Sequence, residues 1–222
     1  VALASAIALE NAPGGTIVTD SITSDGLKIF IEQTLGGHHH RFKRGYKNVI
    51  NEAIRLNREG IDCPLAIETS GHAALRENYF LDDGAYLCTR IIIKAAVLRR
   101  EGKTIDTLLA DLREPVEAAE YRLKIKAEDF RTCGNAWIDA LETYAKKQGW
   151  AIAPDNREGI RVSFAEPELH GWFLLRLSVH DPILPLNVES DVPGGVEKIL
   201  AKFKAFARDC PSDDIDASVL PQ

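Results

Sequence analysis

Ile67-Glu68-Thr69-Ser70-Gly71-His72 is the stretch from which the chain is best read. It follows the apolar run Cys63-Pro64-Leu65-Ala66-Ile67, which predicts a buried strand. Open α/β sheets place ligands where the carboxyl end of a strand opens into a loop. In this loop Glu68 can accept from two neighbouring sugar hydroxyls, and Ser70 can donate and accept. Gly71 lets a ligand approach the backbone, and His72 can move a proton near neutral pH. Composition alone reads the same residues equally well as a polar loop with a helix cap.

Upstream, an Ala- and Leu-rich helix runs from Val1 to about Asn11 and stops at Pro13-Gly14-Gly15. Thr16–Thr19 is a β-branched strand, and Asp20–Ser24 a polar loop suited to capping the next helix. Leu27, Phe30, Ile31 and Leu35 recur at helical spacing, His38–Phe42 predicts a strand, and Val49, Ile50, Ala53, Ile54 and Leu56 mark an amphipathic helix. Downstream, a turn over 78–84 leads to a long apolar helix from Ala85 to about Arg100. The order αβαβαβα predicts an α/β/α layered domain around a largely parallel sheet, over 1–112.

The charged segment Thr104–Ala119, containing Pro115, marks a boundary. After it the pattern changes. Tyr121–Ala127 and Ile160–Phe164 alternate as strands, and Trp172–Leu175 and Leu184–Val188 are buried strands. Helical faces run through Phe130, Cys133, Trp137, Leu141 and Tyr144, and through Val196, Ile199, Leu200, Phe203 and Phe206. The order β-α-β-β-β-α predicts a smaller α+β domain, with helices on an antiparallel sheet, over 118–210. A flexible polar tail is expected over 211–222.

Composition narrows the function. The 222 residues carry 27 basic and 33 acidic side chains, a formal charge of −6, which argues against nucleic acid as the main partner. No apolar run has membrane-spanning length. Four widely spaced cysteines, without a CxxC pair, suit a reducing cytoplasm. The chain contains no methionine and starts in mid-pattern, so a fragment lacking N-terminal domains is expected.

Three further stretches carry polar chemistry. From Gly36 to Asn51 there is no acidic residue, but Arg41, Lys43, Arg44 and Lys47 are present; this is either a solvated face or an anion site aimed at phosphate. His38-His39-His40 suggests a metal, but consecutive side chains on a strand alternate faces and do not converge. Asp82-Asp83 can ligate a metal or cap the following helix. Leu175-Arg176-Leu177-Ser178-Val179-His180-Asp181-Pro182 is a generic hairpin turn, or a phosphate loop with an arginine fork and donors from Ser178 and His180.

The two loops together resemble the C-terminal half, domains three and four, of the α-D-phosphohexomutases, a family that includes phosphomannomutases and phosphoglucomutases. Ile67–His72 is similar to its Gly-Glu-x-Ser-Gly-His sugar loop, with Ile67 where glycine is usual. Arg176-x-Ser178-x-His180-Asp181-Pro182 is similar to its Arg-x-Ser-x-Thr phosphate loop, with histidine for threonine. Asp82-Asp83-Gly84 and Pro13–Val18 also match. The resemblance implies that Glu68 and Ser70 hold sugar hydroxyls and that His72 transfers a proton. It implies that Lys43 and Arg44 line the cleft, and that Arg176, Ser178 and His180 bind the phosphate that is not being transferred. Tyr46 stands where some members have histidine, and Ile22 where some have lysine, so sugar preference stays open.

The family's phosphoserine segment and its Asp-x-Asp-x-Asp Mg²⁺ loop have no counterpart in these residues. The resemblance therefore implies a phosphosugar substrate, Mg²⁺ and a hexose 1,6-bisphosphate for the whole enzyme, no metal ligand in this chain, and no catalysis by the chain alone. The competing expectation is a stand-alone sugar-phosphate-binding or regulatory module.

Overall fold

A computed structural model of the chain describes residues 1–154 and 156–221. It divides into two compact units, Val1–Glu114 and Pro115–Gln222.

The first unit runs α1 (Ala2–Glu10), β1 (Thr16–Thr19), α2 (Asp25–Ile29, continuing as a wider π turn over Phe30–Thr34), β2 (His38–Arg41), α3 (Tyr46–Arg58), β3 (Leu65–Ile67), β4 (Ala73–Leu75) and α4 (Gly84–Arg100). Among the described residues its sheet has the order β2-β1-β3-β4. β1 pairs parallel with β2 and β3, while β4 runs antiparallel to β3. β1 and β3 are buried at every position, as parallel strands covered on both faces must be.

The pleat sorts their side chains. Ile17, Leu65 and Ile67 pack with Ala4, Ala8 and Leu9 of α1 and Leu27 of α2, with Tyr86 and Leu87 of α4 at the margin. Val18, Cys63 and Ala66 pack with Val49, Ala53 and Leu56 of α3. Each fully buried Val, Leu or Ile here contributes about 1.5–3 kcal/mol. The layering is α/β/α. Two helices start on side-chain caps: Ser24 accepts from the Leu27 amide at 3.1 Å and Asp83 from the Tyr86 amide at 2.9 Å, each cap contributing about 1 kcal/mol. The largely parallel sheet acquires an antiparallel edge, because the backbone turns back at Gly71 and Ala73–Leu75 pairs with β3.

The second unit runs β5 (Glu117–Ile125), α5 (Phe130–Gln148), β6 (Ala151–Ile152), β7 (Ile160–Phe164), β8 (Gly171–Leu175), β9 (Ile183–Ser190), α6 (Gly195–Asp209) and β10 (Ile215–Asp216). Its sheet order is β10-β5-β9-β8-β7-β6, with every neighbouring pair antiparallel. Both helices share one core with the sheet, where Trp137, Phe173, Phe203 and Phe206 meet at ring separations of 4.9–5.9 Å, in the tilted and edge-on geometries that aromatic quadrupoles favour.

A flexible tail is expected over 211–222, but its described residues, to 221, include a packed segment. β10 pairs Ile215 with Ile125, and Ile215 and Leu220 are buried in the core; two apolar side chains anchor a stretch that is otherwise polar. Gln222 lies outside the described residues.

Candidate functional site

The loop after β3 is closed on itself. The Glu68 amide donates to the His72 carbonyl at 2.9 Å and the Gly71 amide to the Glu68 carbonyl at 3.0 Å. Gly71 makes this turn at φ +96°, which L side chains rarely adopt. Glu68, only 4% exposed, is drawn to the N-terminus of α3. Its Oε1 accepts from the Gly45 amide at 2.6 Å, and Ser70 Oγ donates to its Oε2 at 3.4 Å. A carboxylate at the positive end of a helix is stabilised by the unpaired amides there. This contact brings the basic segment Phe42–Gly45 to the Glu68 loop. Lys43 is exposed there and Arg44 half-buried.

Beneath the loop lies Asp20, 0% exposed, at the carboxyl end of β1. Its Oδ2 accepts from Thr69 twice, from Oγ1 at 2.7 Å and from the amide at 3.3 Å. Burial pushes the Asp20 carboxyl above its ordinary range; the Thr69 hydrogen bonds and the Arg44 charge pull the other way, and Glu68 adds to the rise. His72 stands half-exposed at the rim, its Nδ1 2.7 Å from Asp82 Oδ2. Its ring stacks on Tyr46 at 5.1 Å, with 25° between the planes. The loop thus offers acceptors for hydroxyls (Glu68, Ser70), cations beside them (Lys43, Arg44) and a proton-carrying ring (His72).

In the second unit the residues following β8 form a tied hairpin tip. The Arg176 amide donates to the Pro185 carbonyl at 3.1 Å and the Ser178 amide to the Ile183 carbonyl at 3.0 Å. Ser178 Oγ accepts from the Asp181 amide at 3.2 Å, and Arg131 donates to the Val179 carbonyl at 2.8 Å. Arg176 is 8% exposed, Ser178 half-buried and His180 exposed. Gly159, at φ +58°, lies against Leu175 and Arg176 so closely that a Cβ there collides with the Leu175 carbonyl oxygen.

The remaining motifs separate. His39 Nε2 meets Thr19 Oγ1 at 2.8 Å and His40 Nε2 meets Glu52 Oε1 at 2.9 Å, while His38 is exposed. The three rings therefore find different surroundings, as alternation along a strand requires. Asp83 caps α4, whereas Asp82 turns to His72. Among the described residues, no group of three or more His, Cys, Asp or Glu converges to hold a metal ion. No described helix is long and apolar enough to cross a membrane. The sequence reading takes Asp20 as a loop residue and misses its place under the site. The available signal is its position directly after a β-branched strand, at the ligand-binding edge of an open α/β sheet.

This architecture recurs in known proteins. Residues 1–116 match the model of phosphoglucomutase/phosphomannomutase, α/β/α domain III. The chain belongs to this family. It is 27% identical over 198 residues to a phosphomannomutase/phosphoglucomutase of Pseudomonas putida, which covers 88% of this chain and 38% of that protein. It is 27% identical over 204 residues to a phosphoglucomutase of Neisseria gonorrhoeae, covering 91% of this chain and 40% of that one. A crystal structure of a phosphoglucomutase/phosphomannomutase family protein from Burkholderia thailandensis superposes with a TM-score of 0.72 at 24% identity, covering 96% of this chain and 41% of that one. The chain thus spans about 40% of the length of the curated relatives it matches.

Proposed function

We propose that this chain is the sugar- and phosphate-recognising part of a longer phosphohexomutase. That enzyme interconverts the 1- and 6-phosphates of glucose or mannose through a hexose 1,6-bisphosphate. The observation that carries the reading is Glu68, held at the N-terminus of α3 by the Gly45 amide, with Ser70 and His72 in the same closed turn. A fixed carboxylate beside a hydroxyl reads vicinal sugar hydroxyls, because such acceptors discriminate strongly against a ligand that lacks the matching donor. Lys43 and Arg44 attract the anionic substrate, and His72 takes or returns the proton of the reacting hydroxyl. In the second unit Arg176 offers a fork to the phosphate that is not being transferred, supported by Ser178 and His180.

The partner in catalysis is the remainder of the protein, which supplies the phosphoserine and Mg²⁺. The ion, when bound there, neutralises charge on the transferring phosphoryl group. The described residues of this chain do not fit such a metal, and the chain alone is expected to catalyse no transfer. A cytoplasmic setting accords with the four free cysteines.

Calorimetric titration with glucose 1,6-bisphosphate and with mannose 1-phosphate, on the parent chain and on Arg176→Ala, tests the reading. Saturable binding that weakens at least ~10-fold in the variant, about 1.4 kcal/mol, is the expected result. Equal affinity in both proteins overturns the role of Arg176. Metal-dependent mutase activity in the purified chain overturns the division of labour.

A further inference from the structure

Asp82 lies outside the sugar loop, yet its carboxylate hydrogen-bonds the His72 ring, Oδ2 to Nδ1 at 2.7 Å. Its other oxygen is committed, since Oδ1 accepts from the Ala73 amide at 3.2 Å. The backbone around it is committed too. Asp82 bridges Ala74, the Asp83 amide donates to the Ala73 carbonyl at 3.2 Å, and Asp83 itself caps α4. Asp82 is thus mounted between the edge strand β4 and the start of a 17-residue helix. On the face of the imidazole sits Tyr46, the first residue of α3, at 5.1 Å. One contact fixes which nitrogen is addressed, and the other fixes the plane of the ring.

A carboxylate only accepts, so the proton of a neutral His72 lies on Nδ1 and Nε2 becomes the acceptor. We infer that Asp82 is the positioning residue of His72: it holds the ring in the Nδ1–H tautomer and presents Nε2 to take a proton, with Tyr46 steadying the ring plane. The inference rests on the proposed role of His72 at the reacting hydroxyl. Its structural content, the tautomer, stands apart from any activity.

Asp82→Asn separates positioning from bracing. The single amide oxygen stays with the Ala73 N–H, so the brace survives, and the amide NH₂ then faces Nδ1. Nδ1 must turn acceptor and Nε2 must carry the proton, which disables it as a base. The equivalent carboxylate-to-amide change in a Ser-His-Asp triad leaves the geometry intact and lowers turnover about 10⁴-fold through the wrong tautomer.

Long-range ¹H–¹⁵N correlation spectra of the imidazoles in the 222-residue chain read the tautomer directly, at a pH where the ring is neutral. His72→Gln identifies the His72 signals. The expected result is Nδ1–H in the parent and Nε2–H in Asp82→Asn, with unchanged thermal midpoints. In the full-length enzyme the same variant lowers kcat ~10²-fold or more and leaves KM near the parent value. A parent spectrum showing Nε2–H overturns the inference without need of any variant, and so does a folded Asp82→Asn chain that keeps Nδ1–H. If the tautomers behave as expected while the parent binds no hexose phosphate, the proposed function fails and the Asp82–His72 assignment stands.

Discussion

Glu68 and Asp20 meet partners 23 and 49 residues away in sequence, whereas Ser178 bonds the amide of Asp181, three residues on. The two loops carry similar chemistry on unlike supports. In the first unit the polar groups close the carboxyl ends of parallel strands, and their carboxylates are buried against distant amides, Glu68 at the start of α3 and Asp20 in the loop after β3. In the second unit they ride a hairpin tip whose bonds are mostly local and whose far end is in water. A loop assembled from distant segments is part of the fold, so its substitutions cost stability as well as binding. A local hairpin tip can lose side chains and remain a hairpin. The difference sets a rigid loop built from distant segments beside a tolerant local one in the same chain.

The largest expected effect is at Glu68. Glu68→Ala removes the acceptor for the Gly45 amide and the partner of Ser70, in a site that admits little water. Urea unfolding should show a loss of about 1.5–3 kcal/mol, the range for a hydrogen bond to a charged group. Glu68→Gln keeps a carbonyl for Gly45 and should recover more than half of that loss, while sugar binding stays weak. Should Glu68→Ala unfold with the parent, the contrast between the loops is wrong.

Asp20 sharpens the comparison through pH. Burial holds its carboxyl above the ordinary range, so the folded chain binds this proton more tightly than the unfolded chain. The stabilisation is complete in acid, below the pKa of the unfolded carboxylate. It is lost as pH rises through the elevated folded value. Asp20→Asn cannot ionise, so in urea titrations its stability relative to the parent should improve as pH rises from the unfolded carboxylate range through the elevated folded value, and then level off. A difference independent of pH would mean that Asp20 ionises in the fold as freely as outside it.

The fold was legible where periodicity was long. α3, α5 and α6 declare their buried faces over 13 to 19 residues, and β1 declares itself by β-branching. β4, β6 and β10 are two or three residues long, without alternation to read, and exist because a neighbouring strand offers unpaired amides and carbonyls. The expected tail at 211–222 failed for the same reason: Ile215 and Leu220 act through partners that no local pattern reveals. At the site, Glu68, Ser70 and His72 were legible because they are nearly consecutive. The pairing of Asp20 with Thr69 joins segments 49 residues apart, and the division of Asp82 and Asp83 between a histidine and a helix cap depends on which way the backbone turns after Gly71.

Cys63 makes the contrast measurable without a ligand. It lies at 0% exposure just ahead of β3, and burial pushes its thiol up to about 12, whereas Cys88 is exposed on α4. A thiol reagent at neutral pH should therefore label Cys88 at once and Cys63 only when the layer beneath the Glu68 loop opens. Glu68→Ala should speed Cys63 labelling by the factor that its lost stability predicts, tenfold for each ~1.4 kcal/mol, as long as opening follows the global equilibrium.

The smallest effects belong to the hairpin. Ser178→Ala removes one acceptor for a solvent-accessible amide, which water replaces, and His180→Ala removes an exposed ring. Each should change stability by no more than about 0.5 kcal/mol and leave Cys63 labelling at the parent rate, while each weakens bisphosphate binding severalfold. A hairpin variant that speeds Cys63 labelling would show that the second loop supports the first unit after all, and the two loops would then have to be treated as a single device.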